Sequence, residues 1–240
     1  MPRTARVAPK EHVYHVLTRG NNRQDVFEDE EDFRKYLALL FRYKEKYHFK
    51  LYHYVMITNH VHLVIEPSEG GGDLSEIMKG INLSYARHYK RKNNHTGHFW
   101  QDRYKSIIIS KDEYLLACGS YVELNPVRAK MVEDPKDYTW SSYRVYAYGK
   151  RDVLIDEHPV YPQLSGEERE RRKKYREFVR GMLKEKEAMK GEMERRIVYG
   201  GTDFVKDMAT NHNISEKIKR MGRQRGGEKS EENWQISRSY

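Results

Sequence analysis

The chain holds a single cysteine, Cys118. One thiol excludes an internal disulfide and a multi-cysteine zinc site. Long apolar runs are missing as well. The longest, around Leu63 to Ile65 and Ile107 to Ile109, are far too short to span a bilayer. Residues 1–10 (MPRTARVAPK) lack the apolar stretch of a secretory leader, so the expectation is a cytoplasmic protein with no membrane partner. Acidic residues fall short of basic ones, 36 against 45, for a net charge of +9 over 240 residues. That excess favours polyanions, either nucleic acid or an acidic membrane surface, without choosing between them. The length allows one large domain or a core domain with an appendage.

Hydrophobic periodicity organises the first 150 residues. His12 to Leu17 alternates as a strand, and the polar segment Thr18 to Arg23 follows as a turn. Residues 30–47 carry Phe33, Tyr36, Leu37, Leu40, Tyr43 and Tyr47 at helical spacing. Leu51 to Ile57 and His60 to Ile65 read as a hairpin of two strands. Leu74, Ile77, Met78, Ile81, Tyr85 and Tyr89 mark a second helix. Phe99 to Ser110 reads as a strand, long enough for an exposed ribbon, and Lys111 to Leu124 as a third helix. Asn125-Pro126 breaks that helix and starts another turn over Val127 to Val132, with Asn as cap and Pro at a first helical position. The order β-α-β-β-α-β is the ferredoxin-like α+β pattern, an antiparallel sheet with helices on one face. Residues 1–150 are expected to form this domain. Residues 151–240 are expected to add a basic, charged helical extension, with a helix over 167–190, a short helix near Asp203 to Met208, and a mobile tail from Gly222.

Two features carry chemistry. In His60-Val61-His62, alternate side chains of a strand share a face, so both imidazoles can reach one divalent ion. Two polar surface histidines remain the plainer reading of so short a motif. Tyr121 and Asn125 lie four apart, which makes them neighbours on a helix. They offer a phenolic oxygen and an amide oxygen. A core tyrosine and a capping asparagine are the alternative, and Pro126 disfavours helical geometry at Asn125.

Together with this frame, four segments resemble a known family. NHVHLVI, the earlier YHVLTRGNNRQDVF, and the later FWQDRYKS and YVELNPVRAKMV are similar to the single-tyrosine transposases of the HUH endonuclease superfamily, and most of all to the REP-associated tyrosine transposases. The resemblance covers roughly residues 10–145. It implies metal ligands at His60, His62 and Asn125, Mg²⁺ or Mn²⁺ as the ion, and Tyr121 as nucleophile. Tyr114, seven residues earlier, is the competing tyrosine. The implied reaction is cleavage and joining of single-stranded DNA through a 5′-phosphotyrosine link, with no nucleotide cofactor. DNA hairpins are the implied partners, bound by a monomer or a homodimer.

Candidate DNA contacts are Arg19, Asn21, Asn22 and Arg23 in the first turn, Arg87, Lys90 and Arg91 on the second helix, and Arg103 and Lys105 further on. Phe99 and Trp100 read equally as stacking platforms for bases or as core rings. Two other functions fit the same residues. One is a DNA-binding protein that has lost turnover; the other is a metal hydrolase that uses the histidines without a covalent step.

Overall fold

The computed structural model describes residues 8–183, 196–212 and 214. Strand β1 (Val13–Arg19) leads to helix α1 (Glu30–Tyr47), the hairpin β2 (Phe49–Ile57) and β3 (His60–Pro67), helix α2 (Leu74–Lys92) and strand β4 (Lys105–Ile109). The strands lie in the order β2-β3-β1-β4-β5, where β5 is Val198–Tyr199. All pairs among the first four strands are antiparallel, as the ferredoxin-like pattern requires, and β5 joins β4 in parallel.

Local chemistry sets the helix ends. Asp29 caps α1 by accepting from Asp32 N, and three acidic residues fill its first turn, where the helix dipole favours negative charge. His48 ends it in the left-handed conformation. Asp73 and Glu76 form a reciprocal capping box at the start of α2. The apolar stripes of both helices then cover one face of the sheet, where Phe33, Leu40, Ile81 and Tyr85 meet Val16, Met56, Leu63 and Ile65.

The opposite face is also covered. Helix α3 (Glu113–Glu123) lays Leu115, Cys118, Tyr121 and Val122 on Val13, Val55, Ile57, Val64 and Ile109. A register shift in β2 between Leu51 and His53 turns both Tyr52 and His53 toward α3. The outer side of α3 carries Leu116 and Leu124 against α5 (Tyr143–Tyr148) and α6 (Glu168–Met182), through Tyr143, Tyr146, Tyr175 and Val179. Helices therefore flank both faces, with the two of the βαββαβ unit sharing one.

The strand expected from Phe99 shortens to Lys105–Ile109. Phe99 is buried against Tyr89, and the Trp100 indole N–H donates to Asn82 O at 2.9 Å, so both rings serve the core. Only an isolated bridge, Gly20 to Trp100, remains of the ribbon. The chain beyond residue 150 is tied to the sheet. Asp156 accepts from Leu51 N at 2.7 Å and pairs with Lys44 at 2.8 Å, while Tyr54 OH donates to Asp152. The short helix expected near Asp203 is α7 (Thr202–His212). The end of the 167–190 helix and the tail from Gly222 lie outside the described residues.

A buried polar cluster joins these layers. The Glu123 carboxylate accepts from His53 Nδ1 at 2.8 Å, from Ser142 Oγ at 2.6 Å and from Tyr175 OH at 2.6 Å. Beside it, His158 is buried and its Nδ1 accepts from the backbone N–H groups of Val160 and Tyr161, both at 3.0 Å. Burial, and then the neighbouring His53, hold its pKa well below the ordinary imidazole range.

Tyr175→Phe removes one hydrogen bond to a buried carboxylate. Urea unfolding at pH 7 is expected to show a loss of about 2 kcal/mol. The His158 shift has a definite sign. Above pH 6.5 both states are neutral; below it the unfolded chain takes up a proton that the folded chain refuses, so stability falls with pH. His158→Asn keeps an acceptor without the titration. Between pH 7 and pH 5 that variant is expected to lose about 2 kcal/mol less stability than the parent. Equal losses in the two proteins would show that His158 plays no part.

Candidate active site

Strand register builds the site. β3 sets His60 and His62 on the face that α3 covers, and His62 pairs with Leu17 of β1. Two residues back along β1, His15 shares that face. Its Nε2 lies 2.7 Å from His62 Nδ1, with the rings stacked at 5.0 Å. His60 Nδ1 lies 2.6 Å from Asn59 Oδ1, so His60 carries its proton on Nδ1 and leaves Nε2 bare. The His15 contact does the same for His62 when His62 is the donor. Burial lowers the pKa of His15 to about 4; burial and then Arg19 lower that of His60 to about 4. His62 is held well below its ordinary value, first by burial and then by His15, His60, Arg19 and Arg128. These imidazoles are neutral at pH 7, the form in which histidine binds a metal ion.

Tyr121 lies against this pair, its ring 6.1 Å from that of His62 and 5.9 Å from that of His15. The side chain is buried, at 5% exposure. Tyr114 instead packs edge-on to Tyr199 at 4.9 Å, away from the histidines. The Arg128 guanidinium sits over the Tyr121 ring at 4.3 Å and donates from Nη1 to Tyr121 O at 2.8 Å. Asn125 does not act as the expected N-cap. Leu124 holds that position, with no side-chain bond, in front of α4 (Asn125–Arg128). The Asn125 amide nitrogen instead donates to Tyr121 O at 3.0 Å and Val122 O at 3.1 Å, which closes the end of α3. Those bonds use Nδ2 and leave Oδ1 as the acceptor end of the amide.

Among the described residues no group of three or more His, Cys, Asp or Glu side chains could hold a metal ion. The donors expected from the sequence are of another kind: two neutral imidazole nitrogens on one strand face, and an amide oxygen at the end of the helix that carries Tyr121. They fit a divalent ion that keeps open positions for further oxygen ligands.

The expected DNA contacts separate into two groups. Arg19 pairs in register with His60, and its Nε is buried without a partner. Asn21, Asn22 and Arg23 form a 3-10 turn, with Asn22 and Arg23 at positive φ. Gly20 N anchors it to Asn59 O at 2.9 Å, beside His60. Lys105 pairs with Leu17, the residue that also pairs with His62, so it shares their row and face. Arg103 is exposed just ahead of it. Arg87, Lys90 and Arg91 lie on α2. The apolar stripe of α2 holds that helix on the face away from His60 and His62, and Lys90 Nζ is bound to Gly97 O at 2.6 Å. The end of α2 that carries them nevertheless reaches the turn after β1, since Tyr89 OH donates to Asp25 O at 3.4 Å and Phe99, packed on Tyr89, accepts at its carbonyl from Asn21 N at 2.8 Å.

Three contributors escaped the sequence reading. His15 carried a signal, since alternation from the apolar Val13 places it on the α3 face. Asn59 and Arg128 had none, because their roles depend on which ring each approaches.

Comparison with known proteins points the same way. The IS200-like transposase family model matches residues 9–125. A solved REP-associated tyrosine transposase bound to a REP hairpin superposes with a TM-score of 0.52, at 18% identity, covering 66% of this chain and 93% of that one. A candidate transposase of Deinococcus radiodurans aligns at 16% identity and a TM-score of 0.36, over 54% of this chain and 92% of its own. No curated protein matches. The first superposition shows a shared fold. Motif order, fold and family match converge on residues 9–125, which match the model of the IS200-like transposases.

Proposed function

We propose that the protein cleaves and rejoins single-stranded DNA at hairpin-bearing sites through a covalent bond between Tyr121 and a 5′-phosphate. The observation that carries this reading is the packing of the Tyr121 ring against His62 and His15 under the Arg128 guanidinium. In the first step the Tyr121 phenolic oxygen attacks phosphorus and the bond to the 3′-oxygen breaks. The phenolic proton leaves and the departing oxygen is protonated, which gives a free 3′-hydroxyl and a phosphotyrosine. Attack by another 3′-hydroxyl reverses the sequence and joins strands, since the covalent link conserves the phosphodiester energy.

His60, His62 and Asn125 would hold Mg²⁺ or Mn²⁺. Such an ion polarises the phosphate and offsets charge that builds in the transition state. Arg128 fixes the Tyr121 ring and the end of its helix. Arg19, Lys105 and the turn at Asn21, Asn22 and Arg23 would grip the phosphates on either side. The hairpin partner rests on the REP hairpin in the similar structure. In this reading residues 1–150 are the catalytic domain, the described residues between 151 and 183 brace it, and the setting is the cytoplasm.

Incubating labelled hairpin oligonucleotides with the protein and Mn²⁺ is expected to give a denaturant-stable adduct. Tyr121→Phe should abolish the adduct and leave DNA affinity within about twofold. Nicking that survives in this variant would identify a hydrolase. DNA binding by the parent with no metal-dependent cleavage would identify a binder. His60→Ala should lose most of the heat of Mn²⁺ binding in calorimetry without DNA present; unchanged binding would remove His60 from the ligand set.

A further inference from the structure

A second basic surface lies outside the site. The turn at Pro135–Asp137 and helix α5 flank an open cavity of about 450 Å³ lined by Lys136, Arg144, Tyr148 and Lys150. Three of the four lining side chains are cationic and none is acidic. Arg144 is pre-positioned, because its Nε donates to Lys136 O at 2.6 Å. Lys136 has an exposed carboxylate partner, Asp134, at 3.3 Å, whereas Lys150 has no ion pair among the described residues. Tyr148 is 46% exposed, unusual for so large a ring in a chain with ample core. It stands edge-on to Tyr143 at 6.1 Å, with the Arg176 guanidinium 5.3 Å from its centre.

An exposed ring with a fixed guanidinium and two ammonium groups, of which Lys136 has the exposed Asp134 beside it, is the combination that holds an unpaired nucleotide. The base stacks on the ring and the cations take the phosphates. The ring also separates this ligand from an acidic peptide, which needs the cations alone. The volume suits one nucleotide unit. The cavity is near the nucleophile along the chain as well. From Arg128, over Tyr121, to Lys136 is eight residues, at most about 27 Å. Stacked nucleotides at about 3.4 Å each would cover that span in eight.

We infer that this cavity binds an unpaired nucleotide of single-stranded DNA, up to about eight nucleotides from the bond that Tyr121 attacks. The inference rests on the proposed DNA substrate. It assigns a DNA contact to residues outside the histidine and tyrosine motifs.

The test uses the full chain, a single strand of 20 nucleotides carrying 5-iododeoxyuridine, and a labelled hairpin oligonucleotide. Irradiation of the 20-mer complex is expected to cross-link Tyr148. In fluorescence anisotropy, Tyr148→Ala should weaken 20-mer binding about tenfold, and Lys150→Ala should lower the salt slope by about one. Either result on a folded variant supports the site. A cross-link map without Tyr148, combined with affinities within twofold of the parent, overturns it. Displacement of the 20-mer from the cavity cations by polyglutamate, with no loss in Tyr148→Ala, assigns the surface to an acidic protein and also overturns it. Adduct formation on the labelled hairpin oligonucleotide with Mn²⁺ monitors Tyr121 separately and should persist in both variants. Its absence from the parent would count against the proposed reaction while anisotropy still judges the cavity.

Discussion

The Glu123 carboxylate holds the molecule together. It is fully buried and accepts three hydrogen bonds from three different elements: His53 on β2, Ser142 before α5 and Tyr175 on α6. A desolvated carboxylate is tolerable only when its lone pairs are filled, so all three elements must be in place together. Glu123 is also the last residue of α3, two positions after Tyr121. The satisfied carboxylate thus fixes one end of the helix that carries the candidate nucleophile. Gly119 belongs to the same constraint, because a Cβ there would lie 2.3 Å from His53 Nε2. Only glycine lets α3 approach the buried imidazole this closely.

The two faces of the sheet divide the work. One is an apolar sandwich with α1 and α2, rich in interlocked rings such as Phe27, Phe33, Tyr36 and Tyr85. The other mixes apolar contacts with imidazoles, a carboxylate and a guanidinium. A rigid backing of this kind holds the polar face in register, since a slip of one residue in β3 would send His60 and His62 into the apolar layer.

Much of this was legible in the sequence where a repeated pattern met a clear boundary signal. The bounds of α1 matched, because Phe33, Tyr36 and Leu40 keep helical spacing and Asp29 caps their start. His60 and His62 were legible as a pair because strand geometry puts alternate residues on one face. The position of α3 across the sheet was not, since its apolar residues fit either face equally. The β2 irregularity hid His53, because strict alternation sends it the wrong way. β5, at two residues, is too short to show any period. Glu123 reads as one more surface charge until its partners, 19, 52 and 70 residues away in the chain, are brought together.

The sheet margins have a consequence for self-association. On the β2 side, Met56 N donates to Trp140 O, Ser142 N to Tyr54 O and Asp156 N to Leu51 O, so that outer edge is already occupied. On the β4 side, Ile108 N and Ser110 N donate to Ile197 O and Tyr199 O. A second copy adding a strand beside β2 would first have to strip away these bonds, and at the other margin it would meet β5, an edge of only two residues. The fold thereby discourages edge-to-edge polymerisation. Contact between copies is steered toward helical surfaces, where charges of both signs can govern register.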